Sequence, residues 1–270
     1  MADEFSEPMN TGAREWDAET YDAVSDPQFE WGMEVLERLE LRGDEVAVDA
    51  GCGSGRVTAE LADRLPDGRV IAVDGSAAMV EKAKERLGDR ADYLVSDLVE
   101  LELPAPVDLV FSTATFHWIP DHDALFRRLR SALKPGGRLV AQCGGRGNVA
   151  DHTRAIAAVA SNPEFGEHLS GAKAPWNFAT PEATEPRLTA AGFAEARCWL
   201  QPKPVQPSRP LEFISTVTLG PILDQLPEEK RRPFAEAVLA EEGDPLVLDY
   251  VRLNIEAVAQ SAPATKRFNR

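Results

Sequence analysis

The chain has 270 residues, 43% hydrophobic and 27% charged, enough apolar material for a substantial core and too much for a disordered chain. Its formal net charge of −16, from 45 acidic and 29 basic residues, argues against non-specific binding to nucleic acid or an anionic membrane, since each needs a positive face. Three cysteines, Cys52, Cys143 and Cys198, are too few and too scattered for a disulfide framework or a thiolate zinc cage, so no metal is expected. MADEFSEPMN has neither the basic start nor the apolar stretch of a signal peptide, and no run reaches the roughly 20 apolar residues of a membrane span, so the expected location is cytoplasmic. The acidity is uneven: residues 1–50 hold fifteen acids against three bases, leaving the remaining body nearly balanced.

Residues 1–12 are polar, with Pro8 and Gly12, and read as a frayed tail. Residues 13–42 carry helical periodicity, clearest where Trp31, Val35, Leu36 and Leu39 recur on one face, with Gly43 as the stop. EVAVDA (45–50) is strand-like and runs into the glycine turn GCGSG; VTAELADRL (57–65) is the next helix, RVIAVD (69–74) the second strand, and Ser76 caps the helix that follows. ADYLVSD (91–97) and PVDLVFST (106–113) read as strands and DHDALFRRLRSAL (121–133) as a helix, broken by Lys134–Gly137 before the strand RLVAQCG (138–144). Valine-rich strands alternating with helices predict a parallel, doubly wound sheet covered on both faces.

Beyond residue 145 the rhythm loosens. The pattern predicts helices over 149–161 and 182–191, an irregular proline-bearing stretch over 162–181, and a strand at EARCWLQ (195–201). KPVQPSRP (203–210) is a loop, LEFISTVTLGPILDQL and PFAEAVLAEEG read as helical segments, and VLDYVRLNIEAVA (247–259) fits either a strand or a helix.

The strongest local signal is Asp49-Ala50-Gly51-Cys52-Gly53-Ser54-Gly55 directly after an apolar strand. Glycines let backbone approach a ligand closely, and a strand, glycine loop and helix N-terminus make a nucleotide-type site at the carboxyl edge of a parallel sheet; an ordinary tight turn is the plainer alternative. Asp74 ends the second strand, where a carboxylate can accept two hydrogen bonds from a ribose diol or simply cap a helix. Arg56 stands where the dinucleotide fingerprint needs its last glycine, which weighs against a nicotinamide-dependent dehydrogenase, and the absence of GK[ST] excludes a P-loop. The pattern calls for an adenosine-like ligand without a pyrophosphate cradle.

As an ordered set, VAVDAGCGSG (46–55), VIAVDGS (70–76), VSD (95–97), FSTATFHW (111–118) and LKPGG (133–137) resemble the class I S-adenosylmethionine-dependent methyltransferases over about residues 40–145. The resemblance implies an α/β fold: a doubly wound, Rossmann-like seven-stranded sheet with a helical cap, residues 250–258 forming the seventh strand, inserted antiparallel. It implies S-adenosylmethionine as cofactor and S-adenosylhomocysteine as product. Asp49 and the loop residues Gly51, Cys52, Gly53 and Gly55 would approach the methionyl side, and Asp74, beside Gly75, would hold the ribose hydroxyls. Met79 would pack near the adenine, Asp97 and Leu98 would take its edge, and Thr113 would lie near the methionine moiety.

A narrower likeness is to the trans-aconitate methyltransferases and related small-molecule methyltransferases. WDAETY (16–21) resembles that group's N-terminal aromatic motif, and FHWIPDH (116–122) its segment after the fourth strand, with His117 where a glutamine is common. TLGPILDQLP and LDYVRLNIEA resemble its cap and last strand. The implied organisation is an N-terminal lid over 1–42 with Trp16 and Tyr21 over the cofactor, a core over 43–202 with a helical segment after the fifth strand, a cap insertion over 203–245, the last core strand over 246–260 and a flexible tail over 261–270.

Methyl transfer is an in-line displacement in which orientation and exclusion of water supply much of the rate, and an already ionised carboxylate needs no general base. His117 is the catalytic candidate, as the residue touching the acceptor; Trp118 supplies an apolar wall and Tyr21 a lid contact, while His122 reads as a helix-start residue. Arg209 and Arg252, with Arg14 as a further possibility, are candidates for a carboxylate clamp, because guanidinium offers paired donors; ordinary ion pairs are the alternative for each. The expected function is methyl transfer to a small molecule, first at a carboxylate oxygen. Hydroxyl, amine or carbon acceptors, a carrier-bound malonyl group and a non-catalytic cofactor-binding regulator are the alternatives. The expected partner is the small-molecule acceptor alone, with no nucleic acid or membrane, and the chain a monomer or weak dimer.

Overall fold

Five short apolar strands lie side by side in parallel: β1 (Val46–Ala50), β2 (Arg69–Asp74), β3 (Ala91–Val95), β4 (Val107–Thr113) and β5 (Leu133–Gly144). A computed structural model supplies this architecture and describes residues 22, 25–169 and 176–260; Arg14, Trp16 and Tyr21 lie outside the described residues. Two further strands, β6 (Phe193–Pro202) and β7 (Val251–Ala259), complete a seven-stranded sheet of order β3-β2-β1-β4-β5-β7-β6. β7 runs antiparallel to both β5 and β6. That settles the ambiguous final segment as a strand: Leu253, Ile255 and Ala257 are buried between two hydrogen-bonded neighbours.

Side chains alternate across a strand, so each strand feeds two layers. Ala47, Val70, Ala72, Leu109 and Phe111 face one layer, closed by α1 (Asp26–Glu37), α2 (Arg56–Asp63) and α3 (Ala77–Leu87) through Val35, Leu36, Leu61 and Leu87. Val48, Val110 and Leu139 face the other, closed by α4 (His122–Ala132) and α7 (Pro181–Ala190) through Leu125, Phe126, Leu129 and Leu188. A third cluster forms the helical cap from α5 (Ala150–Ala160), α6 (Pro163–Leu169), α8 (Pro210–Phe213), α9 (Gly220–Leu223) and α10 (Glu228–Glu242). Trp31 of α1 and Tyr250, just before β7, belong to the cap cluster, so it is seated on the sheet's carboxyl edge. Among the described residues, no helix is long and apolar enough to cross a membrane.

Four readings differ from the sequence expectation, the first being the stretch 162–181 read as irregular, in which Pro163–Leu169 forms α6. α1 ends at Glu37, not at Gly43, with Arg38 as its C-cap, still in helical backbone, and the Arg38 guanidinium reaches Asn254 at 2.9 Å and Glu256 at 3.6 Å on β7. LKPGG is not a break ahead of β5 but its beginning: Leu133 pairs with Val107 and Lys134 meets Asp108 at 2.8 Å. The segment LEFISTVTLGPILDQL is not one helix. Pro221 lacks the amide that would continue a regular ladder, and the Leu219 N–H instead reaches Ile214 O at 2.7 Å, giving a π turn over Ile214–Thr218 between α8 and α9.

Candidate cofactor and acceptor site

The carboxyl ends of β1, β2 and β4 open on a cavity of about 620 Å³, roofed by the cap, at the point where strand order reverses between β1 and β4. Gly51 starts the loop at φ +89°, its amide and that of Cys52 donating to Val73 O at 2.8 and 2.9 Å. A Cβ there would run into Thr115 Oγ1, so this turn needs glycine for both conformation and space. Gly53, at φ +53°, has nothing within 4 Å of where a Cβ would sit and lines the cavity. Its amide donates to Asp74 Oδ2 at 2.9 Å, while the Ser76 amide donates to Asp74 Oδ1 at 3.0 Å. Both carboxylate oxygens are thus fixed by backbone at the cavity edge.

Gly51, Gly53, Asp74, Gly75, Met79, Asp97, Leu98 and Thr113 all line the cavity. Asp97 Oδ1 is held by the Val99 amide at 3.0 Å, and the Met79 amide caps onto Ser76 Oγ at 3.3 Å. Asp49 and Cys52 instead wall a small recess adjoining the loop. Asp49 is 2% exposed; burial pushes its carboxyl up to about 7, with the Asp74 charge adding to the rise and the 2.7 Å hydrogen bond from Thr58 Oγ1 opposing it. Gly55 lies at the start of α2, away from the cavity: a Cβ there would stand 2.7 Å from Leu87 Cδ1 and 3.0 Å from Ala83, so its role is packing α2 against α3.

His117 sits in a 3₁₀ turn (Phe116–Trp118) after β4, where its Nδ1 accepts the Gly144 amide at 3.3 Å. That bond assigns the proton to Nε2, and burial, followed by the nearby charge of Arg252 and His122, holds the ring's pKa well below its ordinary value. His117 is therefore a neutral donor, not a base. Its ring lies 5.1 Å from Trp118 and stacks on Phe178 at 5.9 Å, and Phe178 stacks in turn on Trp176 at 5.6 Å and 10°. Gly144 makes this possible, since a Cβ on it would be 2.6 Å from Phe178 Cε1.

Arg252 is opposite Gly144 in the β5–β7 ladder, only 2% exposed, and its guanidinium lies 4.8 Å over the Trp31 ring while lining the cavity. Its Nε donates to Gln142 Oε1 at 3.5 Å, and Gln142 is itself tied to Asn254 at 3.0 Å. Arg209 is elsewhere: it precedes α8, half exposed, and pairs with Glu212 at 2.8 Å outside the cavity. His122 opens α4, with Nε2 bonded to Phe116 O at 2.9 Å, and does not line the cavity.

Sequence reasoning did not single out Trp176, Phe178, Ala114 or Val149, all of which line the cavity. Trp176 and Phe178 carried one signal, two aromatics close together in an irregular stretch. Ala114 at φ +57° and Val149 at φ +46° carried none; left-handed backbone at non-glycine residues is strained and concentrates where function demands it.

Residues 47–137 match a protein family described as a methyltransferase domain. With the fold and site above, the chain belongs to the class I S-adenosylmethionine-dependent methyltransferase superfamily. Within it, the chain is related to the trans-aconitate methyltransferase family. It is 31% identical over 231 residues to a trans-aconitate 2-methyltransferase of Methylobacterium radiotolerans, covering 83% of this chain and 87% of that protein. Against the same enzyme of Paracidovorax citrulli it is 31% identical over 240 residues, with the same coverage of 83% and 87%. The phosphoethanolamine N-methyltransferase 2 of Haemonchus contortus shares the fold, with a TM-score of 0.59 at 20% identity over 94% of this chain and 58% of that one.

Proposed function

We propose that the protein transfers the methyl group of S-adenosylmethionine to a carboxylate oxygen of a small molecule. The observation that carries this reading is Arg252, a guanidinium buried in the wall of the cavity that the glycine loop opens into, where paired donors suit a carboxylate. The residues present fit the cofactor. Gly53 leaves open space on the cavity side of the loop that a side chain would enter, and Asp74 turns toward the cavity a carboxylate already braced by two amides. Asp74 would accept the ribose hydroxyls, Met79 and Leu98 would flank the adenine with Asp97 at its edge, and Asp49 would sit behind the methionyl side. When bound, S-adenosylmethionine supplies an electrophilic methyl group on a sulfonium.

The remaining work falls to the chain's own residues. Arg252 orients the acceptor, and the wall of Trp118, Trp176 and Phe178 excludes water from it. His117, neutral and with Nδ1 engaged, donates from Nε2 and does not withdraw a proton. That suits a carboxylate, which is ionised at neutral pH, better than a hydroxyl or amine that must lose a proton. The names of the relatives point the same way, since trans-aconitate is itself a carboxylate.

Labelled-methyl transfer across pooled carboxylic acids, alcohols and amines tests the reading. Label is expected in base-labile esters, and Arg252→Gln is expected to raise the acceptor KM by roughly 30-fold or more while S-adenosylhomocysteine affinity holds. Label found only in amines or base-stable ethers overturns it.

A further inference from the structure

We infer that Asp22 is a positioning residue for the cofactor: it straps the chain ahead of α1 to the glycine loop, and cofactor affinity depends on that strap. The inference rests on the cofactor reading above and extends it to residues outside the cavity. Asp22 Oδ1 accepts the Ser54 hydroxyl at 2.6 Å, and its Oδ2 accepts Arg86 Nη2 of α3 at 2.6 Å. Arg86 closes the ring by donating from Nε to Ser54 O at 3.0 Å. Ser54, buried in the loop, is thereby gripped at its hydroxyl by Asp22 and at its carbonyl by Arg86. The backbone of Asp22 is held as well, its carbonyl accepting Arg56 Nη1 at 3.2 Å. Arg56 also reaches Asp26 Oδ1 at 2.9 Å and lies 4.5 Å over the Phe29 ring. Ser54 and Arg56 do not line the main cavity, and Arg56 stands where a dinucleotide fingerprint would have glycine. Both find their use in this strap.

What the strap governs is the residue before Ser54. The Gly53 amide holds Asp74 Oδ2 at 2.9 Å, the carboxylate that would take the ribose hydroxyls. Yet Gly53 has no atom within 4 Å of where a Cβ would sit, so no side-chain packing of its own fixes this freest of residues. Its neighbour Ser54 is the tether. A carboxylate shared between a hydroxyl and a guanidinium makes charge-assisted bonds, roughly twice as strong as neutral ones. Asp22 and Arg86 remain 25% and 33% exposed and stand outside the apolar core, so the ring can be broken without opening that core. Loss of cofactor affinity and loss of stability are therefore separable.

Calorimetry with S-adenosylhomocysteine on the full chain tests this, with urea unfolding of the same proteins alongside. Asp22→Ala and Arg86→Ala are each expected to raise Kd about fivefold or more, with little change in the urea midpoint. The double variant is expected to lose less than the product of the two, because both substitutions break one ring. Arg86→Lys, which keeps the charge but not the forked donors, is expected to retain part of the affinity. Arg90→Gln, which breaks the exposed Arg90–Asp63 pair at 2.7 Å just beyond α3, is expected to leave Kd unchanged. The inference fails if Asp22→Ala binds as the wild type does, if the two alanine substitutions act independently, or if Arg90→Gln weakens binding equally. It fails also if affinity falls only as far as the protein unfolds, since the strap would then be structural alone. A wild-type chain that does not bind S-adenosylhomocysteine would overturn the cofactor reading together with this one.

Discussion

Replacing Asp49 by asparagine should make the protein's stability less sensitive to pH. Asp49 is 2% exposed near the carboxyl end of β1, and its carboxyl is raised from the ordinary 3.8 to about 7. At about 1.36 kcal/mol per pH unit, that rise is a penalty of about 4 kcal/mol on the ionised folded form. The sign follows from proton uptake. Above the unfolded value the unfolded chain has lost this proton while the folded chain still holds it, so stability declines as pH rises and levels off once pH passes about 7. About 2.5 kcal/mol of the penalty develops between about pH 5 and about pH 8.5, a range in which denaturation is practical. Asparagine keeps an oxygen for the Thr58 hydroxyl but has no charge to bury, so any constant cost of its amide cancels in the pH dependence. Urea unfolding of both proteins at several pH values reads the difference directly: the variant should gain on the wild type by about 2.5 kcal/mol from the acid to the alkaline end. Parallel profiles would mean that Asp49 titrates normally and that the burial argument is wrong.

Gly51→Ala should cost about 1–3 kcal/mol of stability from a left-handed backbone and the collision with Thr115, read by denaturant unfolding, and should weaken S-adenosylhomocysteine binding at least about tenfold by calorimetry. Gly144→Ala should displace Phe178, whose ring atom would stand 2.6 Å from the new Cβ. Steady-state kinetics should show the acceptor KM rising by about tenfold or more, with cofactor affinity little changed, because β4 stands between β5 and the strand that carries the glycine loop.

The parallel half of the fold was legible because valine-rich strands and their turns are local signals, and β1 to β4 lie within a few residues of their expected limits. What was not legible depends on partners far away in the chain. No glycine or proline marks the end of α1 at Glu37, and the partner Arg38 finds there lies on β7, more than two hundred residues on. Arg209 and Arg252 looked alike as clamp candidates. Strand register turns one into the cavity beside Gly144, while the other sits at an exposed helix start with Glu212 within reach. The cavity-lining loop residues Gly51 and Gly53 could be picked out by their chemistry, but Gly55 shares that chemistry and serves helix packing, a distinction only three-dimensional neighbours make. Trp176 and Phe178 acquire a role from the missing side chain of Gly144, which no periodicity records.

The insertion of β7 between β5 and β6 also sets an order of assembly. As the chain leaves the ribosome, β5 is complete about a hundred residues before β7 exists, and meanwhile one of its edges has open backbone donors and acceptors. β6, made in the interval, can join the sheet only through β7. The strand that seals this edge is the one that carries Arg252 into the cavity. Nascent chains can thus form the glycine loop and Asp74 early, but the guanidinium arrives only with the stroke that removes the last exposed edge between β5 and β6. A chain whose cavity has received Arg252 has, by the same event, ceased to be a template for edge-to-edge aggregation there.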